Sequence, residues 1–170
     1  MVIKKKEEDK MLKLVFDCLR SPYDWANILQ AVIAVGDCEL YITGNSLRHD
    51  HVKVTGKVKS WSKKMTKQGL PPLKINYFSS LEECVLELKE QNIKLIGTSS
   101  YAKKSFYDLN LKDNNFAIVF GTETSGLINE KITLLNDMVK LPMSDDLDFM
   151  TLSTVVPVMI YEAKRQEGVF

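Results

Sequence analysis

Short runs of apolar, branched residues alternate along this chain with longer segments in which apolar positions recur every three or four residues. The runs predict β-strands and the longer segments predict α-helices. Their alternation predicts an α/β fold in which helices cover both faces of a parallel sheet. The predicted strands are residues 12–16, 39–43, 73–77, 94–97, 116–120 and 138–141, which gives a sheet of about six strands. The predicted helices are residues 25–35, 52–65, 81–91, 127–134 and 151–166.

The last predicted helix has no polar face before Glu162. A helix that is apolar on every side is buried on every side, either inside a domain or in a subunit interface. Pro157 lies within this segment, and proline in the interior of a helix costs about 3 kcal/mol. We therefore expect the regular helix to begin only about one turn before Pro157.

The overall composition is typical of a single domain, residues 11–170, preceded by a flexible charged segment, residues 1–10. That segment has no apolar stretch of signal-peptide or membrane-spanning length, so no membrane association is expected. Three cysteines without CxxC spacing are typical of reduced thiols and favour a cytoplasmic location. A net charge of +1 excludes proteins that coat nucleic acid through their overall charge.

The loops that follow three predicted strands are the places where a ligand is expected, because open parallel sheets bind ligands at the carboxyl ends of their strands. These loops are residues 97–100, 120–127 and 141–146. In the second of them, Gly121 and Gly126 bracket a tight loop that contains Glu123, and small residues let backbone amides approach a ligand. The GxGxxG and GxxxxGK[ST] motifs are both absent, which argues against ordinary Rossmann oxidoreductases and NTPases.

Four segments resemble the three signatures of a known family. Residues 117–127 (AIVFGTETSGL) resemble the second signature of the SpoU/TrmH branch of the SPOUT superfamily, the RNA ribose 2′-O-methyltransferases. Residues 22–36 resemble the first signature, and residues 141–143 and 161–166 resemble parts of the third. The three occur in the order and at the spacing of the family, so the resemblance covers roughly residues 12–166.

The resemblance implies a single SPOUT-type domain with a C-terminal trefoil knot, a feature that is almost absent from other folds. It further implies a homodimer formed through the final helix and a substrate that is RNA, with tRNA preferred over rRNA and no metal required. S-adenosyl-L-methionine is the implied cofactor, held in the knot, with Glu123 shaping the surrounding loop. The implied cofactor contacts are Thr98, Gly121, Gly126, Leu141, Met143 and Met150.

The chain departs from the family pattern at several active-site positions. Gln30 stands where the family has an arginine that serves the 2′-hydroxyl, and glutamine neither accepts a proton nor forms a cationic fork. Asp24 stands in place of an asparagine and Asp145 in place of a glycine, while Thr151 lies in an altered third signature, residues 149–153. The candidate catalytic residues are therefore Gln30, Asp24, Glu123 and Thr151.

These departures leave three hypotheses open. The first is a divergent methyltransferase in which Asp24 or Glu123 assists the hydroxyl. The second is a catalytically impaired SPOUT-fold dimer that acts as an RNA-binding module. The third is a flavodoxin-like or receiver-like α/β protein that does not act on RNA.

A basic segment is the best candidate for contact with RNA phosphates, because each neutralised phosphate releases a counterion. Its proposed RNA-binding residues are Arg48, Lys53, Lys57, Lys63 and Lys64, with Trp61 among them. A solvated helix face explains the same charges. His49 and His51 flank Asp50, but no further ligand cluster accompanies them, so a metal site is not expected.

Overall fold

The computed structural model of the chain describes residues 11–112 and 115–170. Residues 1–10, which the sequence predicts to be a flexible N-terminus, lie outside the described residues.

One parallel sheet organises the described residues. Its strands, in sheet order, are β3-β2-β1-β6-β4-β7-β5. Their bounds are Leu12–Asp17 (β1), Cys38–Thr43 (β2), Lys74–Phe78 (β3), Lys94–Thr98 (β4), Lys104–Ser105 (β5), Phe116–Phe120 (β6) and Asp137–Lys140 (β7). The six predicted strands are confirmed, with bounds that shift by at most one residue. The two-residue β5 was not predicted, because so short a strand has no readable period.

The helices follow the predicted order with two corrections. Their bounds are Pro22–Val35 (α1), Val52–Ser60 (α2), Lys63–Gln68 (α3), Leu81–Glu90 (α4), Asn129–Ile132 (α5) and Leu152–Gln166 (α6). The helix predicted over 52–65 is two helices, because the Ser62 hydroxyl accepts a hydrogen bond from the Met65 amide and so caps a new one. The helix predicted over 127–134 is shorter, because Ile128 has an extended backbone.

Helices pack on both faces of the sheet, as the alternating pattern predicts. On one face, the apolar sides of α1, α2 and α6 form a core around Trp25, Val58 and Ile160. On the other face, Leu81 and Leu88 of α4 pack in a second cluster with residues of β1, β2, β4 and β6. The parallel pairing of the central strands places all of their carboxyl ends at one edge.

Helix α6 begins five residues before Pro157, which confirms the expected start about one turn upstream. Val156, Met159 and Ile160 are buried against the core. Val158 and Tyr161 are exposed, so the helix is not buried on every side within the chain. Among the described residues no helix is both long enough and apolar enough to cross a membrane.

A buried ion pair fixes the end of α6. The Lys164 ammonium donates to the Glu167 carboxylate and to the Asp37 carbonyl, both at 3.1 Å. Both charged side chains are almost inaccessible to solvent, and one Glu167 oxygen has no hydrogen-bond partner. Removing one member of a buried pair leaves an uncompensated charge in a medium of low dielectric constant, which is strongly destabilising.

We therefore expect Lys164→Met to lower the free energy of unfolding by about 3–5 kcal/mol. The double variant Lys164→Met with Glu167→Leu should recover most of that loss, because no unpaired charge remains buried. Arg165→Met is the matched control: its pair with Glu162 has an exposed guanidinium, and its loss should stay below about 1 kcal/mol. Denaturant unfolding measures all three, and equal losses for the Lys164 and Arg165 variants would contradict the expectation.

Candidate functional site

A cavity of about 500 Å³ opens at the edge where the parallel strands end. It lies between the loops that follow β4, β6 and β7 and the first turns of α6. Its volume falls within the roughly 300–1,000 Å³ typical of small-molecule sites. The residues predicted to contact a cofactor all line it: Thr98, Gly121, Gly126, Leu141, Met143 and Met150. The structure thus brings these positions together, and their contact with a cofactor stays a prediction.

The loop after β6 is closed by its own backbone. The amides of Thr122 and Gly126 each donate to the carbonyl of the other residue, at 3.2 and 3.1 Å. A Cβ atom on Gly121 would lie 2.1 Å from the Gly126 carbonyl carbon, which no side chain tolerates. Gly126 itself has a φ of +63°, in the left-handed region that favours glycine. The shape of the loop therefore requires both of the glycines that bracket it in the sequence.

Glu123 joins this loop to the start of α1. Its Oε1 accepts hydrogen bonds from the backbone amides of Arg20 and Ser21, both at 2.7 Å. Ser21 is also the N-cap of α1, where its hydroxyl accepts a hydrogen bond from the Asp24 amide at 3.2 Å. Hydrogen bonds to a charged acceptor are roughly twice as strong as neutral ones. Glu123 therefore holds the loops after β1 and β6 together beside the cavity.

The lining of the cavity combines apolar and hydroxyl-bearing side chains. The apolar ones include Leu141, Met143, Met150, Val155 and Met159, and the hydroxyl-bearing ones include Thr98, Ser99, Ser100, Thr122 and Ser125. Among the described lining residues only Glu123 and Lys140 carry a charge. A lining that mixes apolar side chains with hydroxyl and charged groups suits a flat, partly polar molecule such as a nucleoside.

The other three candidate catalytic residues are described, and none of them lines this cavity. Gln30 is exposed on α1, and Asp24 lies in the first turn of the same helix. Thr151 is the N-cap of α6, and its hydroxyl lies 3.0 Å from that of Thr154. Of the four candidates, only Glu123 stands at the cavity, and the catalytic roles stay predictions.

Comparison with known proteins identifies the family. The model of the SpoU rRNA Methylase family matches residues 11–161 of the chain. The chain belongs to this family. Membership sets aside the flavodoxin-like or receiver-like alternative.

The SpoU-family chain is similar to curated proteins that are longer than itself. The 23S rRNA (guanosine-2'-O-)-methyltransferase RlmB of Xanthomonas campestris is 23% identical over 159 residues, which cover 94% of the chain and 60% of the relative. The chain spans between 54% and 60% of the length of the first three such relatives. These relatives are all named as methyltransferases, so they give the non-catalytic alternative no support.

Solved structures share the fold of the SpoU-family chain. The SpoU methyltransferase AviRb of Streptomyces viridochromogenes, in complex with AdoMet, has a TM-score of 0.77 at 23% identity and covers 98% of this chain and 64% of its own. A structure described as "Structural insights into the 2-OH methylation of C/U34 on tRNA" has a TM-score of 0.76 at 21% identity and covers 95% of this chain and 99% of its own. At these identities the likeness establishes a common fold.

The basic segment of the SpoU-family chain lies on the surface. Lys53 and Lys57 are exposed on α2, and Lys63 and Lys64 are exposed on α3. Arg48 differs from the lysines, because its Nε and Nη2 donate to the two carboxylate oxygens of Asp50, each at 3.0 Å. The lysines thus present their charge to solvent, whereas the charge of Arg48 is balanced by Asp50. Contact of these residues with RNA stays a prediction.

The two histidines serve local hydrogen bonds. His49 Nδ1 faces the Tyr77 hydroxyl, and His51 Nδ1 accepts from the Lys53 amide at 3.2 Å. Within residues 11–112 and 115–170, no three metal-ligating side chains cluster.

Sequence reasoning missed two features of the site. Leu152, Val155 and Met159 of α6 also line the cavity, and their spacing of three and four residues is a signal that identifies one helix face. The hydrogen bonds from the Arg20 and Ser21 amides to Glu123 join residues more than 100 positions apart in the chain. No local sequence pattern predicts them.

We expect Glu123→Ala to lower stability by about 1–2 kcal/mol, because two backbone amides lose their shared charged acceptor. The amides of Arg20 and Ser21 should then exchange faster with solvent deuterium, as measured by NMR. Glu130→Ala is the control, since the Glu130 side chain is exposed on the neighbouring helix α5. Unchanged exchange at both amides in the Glu123 variant would show that the bridge does not hold the two loops.

Proposed function

We propose that the chain uses S-adenosyl-L-methionine to methylate a ribose 2′-hydroxyl in RNA, with tRNA as the preferred substrate. The observation that carries the proposal is the cavity at the strand ends, which is lined by all six residues that the resemblance implies for cofactor contact. Family membership and the AdoMet complex of a structural neighbour support the choice of cofactor. The neighbour described as concerned with tRNA, which matches over nearly its whole length, supports the choice of RNA.

The residues present fit this cofactor. Gly121 and Gly126 both line the cavity and carry no side chain, so a ligand can approach the main chain closely at these two positions. Met143, Met150 and Leu141 offer apolar surface to an adenine ring, and Thr98 offers a hydroxyl to a polar edge. When bound, the cofactor supplies an electrophilic methyl group on a sulfonium. Enclosure by the C-terminal trefoil knot is part of the same proposal.

The protein's contribution to the reaction is positioning and proton removal. Glu123 is the only charged acceptor among the described lining residues, and both of its described hydrogen bonds use Oε1. Its Oε2 is therefore available to accept a hydrogen bond from the ribose hydroxyl. The exposed lysines of α2 and α3 would neutralise phosphates of the RNA and hold it in register.

Cofactor binding tests the first step. Calorimetric titration with S-adenosyl-L-methionine, and with its demethylated product, should give saturable binding. Gly121→Ala should abolish it, because the added Cβ overlaps the backbone of Gly126 and Leu127. Gly56→Ala is the matched control, since nothing lies within 4 Å of the added atom on α2. Absence of binding to the unaltered protein would overturn the proposal.

Methyl transfer tests the second step, with radiolabelled cofactor and unmodified tRNA or rRNA as separate substrates. Incorporation into tRNA supports the full proposal, and incorporation into rRNA alone corrects the substrate. Binding without transfer to either RNA contradicts catalysis. Gln30→Arg then restores the family residue, and activity that appears only in this variant would assign the unaltered chain to the impaired class.

We further propose that the protein is a homodimer formed through α6. Val158 and Tyr161 are exposed and lie three residues apart, so they share one face of the helix. The Tyr161 ring stacks on that of Phe170 with 5.4 Å between centroids, which enlarges this apolar face. An apolar helix face of this kind is stabilised by a second copy that removes it from water.

Val158→Glu should convert the dimer to a monomer, because the interface would then have to bury an unpaired carboxylate. Leu86→Glu is the control, since Leu86 is exposed on α4, on the opposite face of the sheet. Sedimentation velocity measures the mass of each. A monomeric unaltered protein, or an unchanged dimer for Val158→Glu, would contradict an interface at α6.

A further inference from the structure

Arg48 and Tyr77 form a stacked pair on the surface. The Arg48 guanidinium lies over the Tyr77 ring, 4.7 Å from its centroid. The Arg48 side chain is 62% exposed and Tyr77 is 40% exposed, so both present surface to solvent. The pair stands where the loop after β2 meets the end of β3, immediately before the basic helix α2.

Asp50 fixes the plane of the guanidinium. Its two oxygens accept from Arg48 Nε and Nη2 in a bidentate pair, each at 3.0 Å. This pairing uses in-plane donors that a phosphate would otherwise occupy, and it balances the charge of Arg48. The flat face of the guanidinium that points away from Tyr77 takes no part in these bonds. Arg48 is therefore arranged for stacking rather than for gripping a phosphate.

His49 fixes the tyrosine. The Tyr77 hydroxyl accepts from the His49 backbone amide at 3.1 Å and also contacts His49 Nδ1. Burial lowers the pKa of His49, so at neutral pH the ring is uncharged; with its proton on Nε2, its Nδ1 accepts a hydrogen bond from the Tyr77 hydroxyl. With both the ring and the guanidinium held in place, a ligand that stacks on them loses little side-chain entropy.

A second pair repeats the arrangement on the neighbouring helix. The Lys57 ammonium lies 4.9 Å from the centroid of the Tyr23 ring, and Tyr23 is 59% exposed. Lys53 and Lys57 are one turn apart on α2 and so point to the same side. Exposed rings thus accompany exposed cations along this surface, a combination typical of proteins that bind single-stranded nucleic acid.

We propose that the Arg48–Tyr77 pair is a stacking platform for an unpaired base of the RNA substrate. The inference rests on the proposed function, because it takes RNA as the ligand of this face. Bases inside a duplex are already stacked on each other, whereas unpaired bases in loops expose the faces that such a platform binds. In this arrangement Arg48 stacks on a base of the RNA. The RNA phosphates are contacted by Lys53, Lys57, Lys63 and Lys64.

Two variants of the platform separate stacking from charge. Arg48→Lys keeps the positive charge but removes the flat guanidinium, and Tyr77→Leu removes the ring. Each should weaken binding to a short single-stranded RNA about tenfold. Neither should change the slope of affinity against salt concentration, because neither alters the number of neutralised phosphates. Fluorescence anisotropy over a series of salt concentrations measures both quantities.

Control variants show how much the loss of a phosphate contact, or of an unrelated tyrosine, changes RNA binding. Lys53→Ala and Lys57→Ala should flatten the salt slope, because each removes a phosphate contact. Tyr107→Leu removes another exposed tyrosine, 51% exposed and outside the cavity lining, and should leave binding unchanged. A duplex of the same sequence should bind more weakly than the single strand and should not distinguish Arg48→Lys from the unaltered protein.

The possible outcomes are distinct. If Arg48→Lys and Tyr77→Leu bind single-stranded RNA as tightly as the unaltered protein, the platform is refuted while the proposed function stands. If Arg48→Lys flattens the salt slope as the lysine variants do, Arg48 binds a phosphate and the platform is likewise refuted. If the unaltered protein binds no RNA, the proposed function itself fails. Because Arg48 is exposed, Arg48→Lys should keep the thermal unfolding midpoint and remains a valid test even if Tyr77→Leu does not fold.

Discussion

The parallel pairing of the central strands is the constraint on which the rest of the structure depends. Strands β1, β6, β4 and β7 are adjacent, and each runs in the same direction as its neighbours. Their carboxyl ends therefore share one edge, and the loops that leave them have to pack against each other there. The cavity, the closed loop after β6 and the bridge from Glu123 to the start of α1 all follow from that crowding.

A different ion pair lies at each end of the sheet. At the carboxyl edge, the buried Asp17 accepts from the Thr43 hydroxyl at 2.8 Å and pairs with Lys131, which ties α5 to β1 and β2. Burial works to lower the pKa of Lys131, but its hydrogen bond and ion pair with Asp17 outweigh burial and raise it. At the opposite edge, Lys164 and Glu167 hold the end of α6 close to the start of β2. Each end thus has its own ion pair, and the cavity lies near the pair of Asp17 and Lys131.

The sequence predicts most of the fold because the core strands are continuous runs of apolar residues, as in residues 116–120. It predicts where the cavity lies because open parallel sheets bind ligands at the carboxyl ends of their strands, whereas the individual lining positions, such as Met143 and Met150, come from the resemblance to the family. It does not predict the break between α2 and α3, since the hydroxyl of Ser62 competes with a helical pattern that continues through it. Nor does it predict the pairing of Arg48 with Asp50 and Tyr77, which depends on where the end of β3 comes to lie in space.

The contact of Gly121 with the backbone of Gly126 has a consequence for how this chain can vary. Where part of the wall of a cavity is formed by main-chain atoms, the shape of that part depends on the path of the chain more than on side chains. Substitutions at neighbouring positions then change that part of the wall little, provided that the close approach of Gly121 to Gly126 is preserved. The chain keeps its fold at only 23% and 21% identity to two solved structures, with TM-scores of 0.77 and 0.76, and a wall of main-chain atoms keeps its shape wherever that path of the chain is kept.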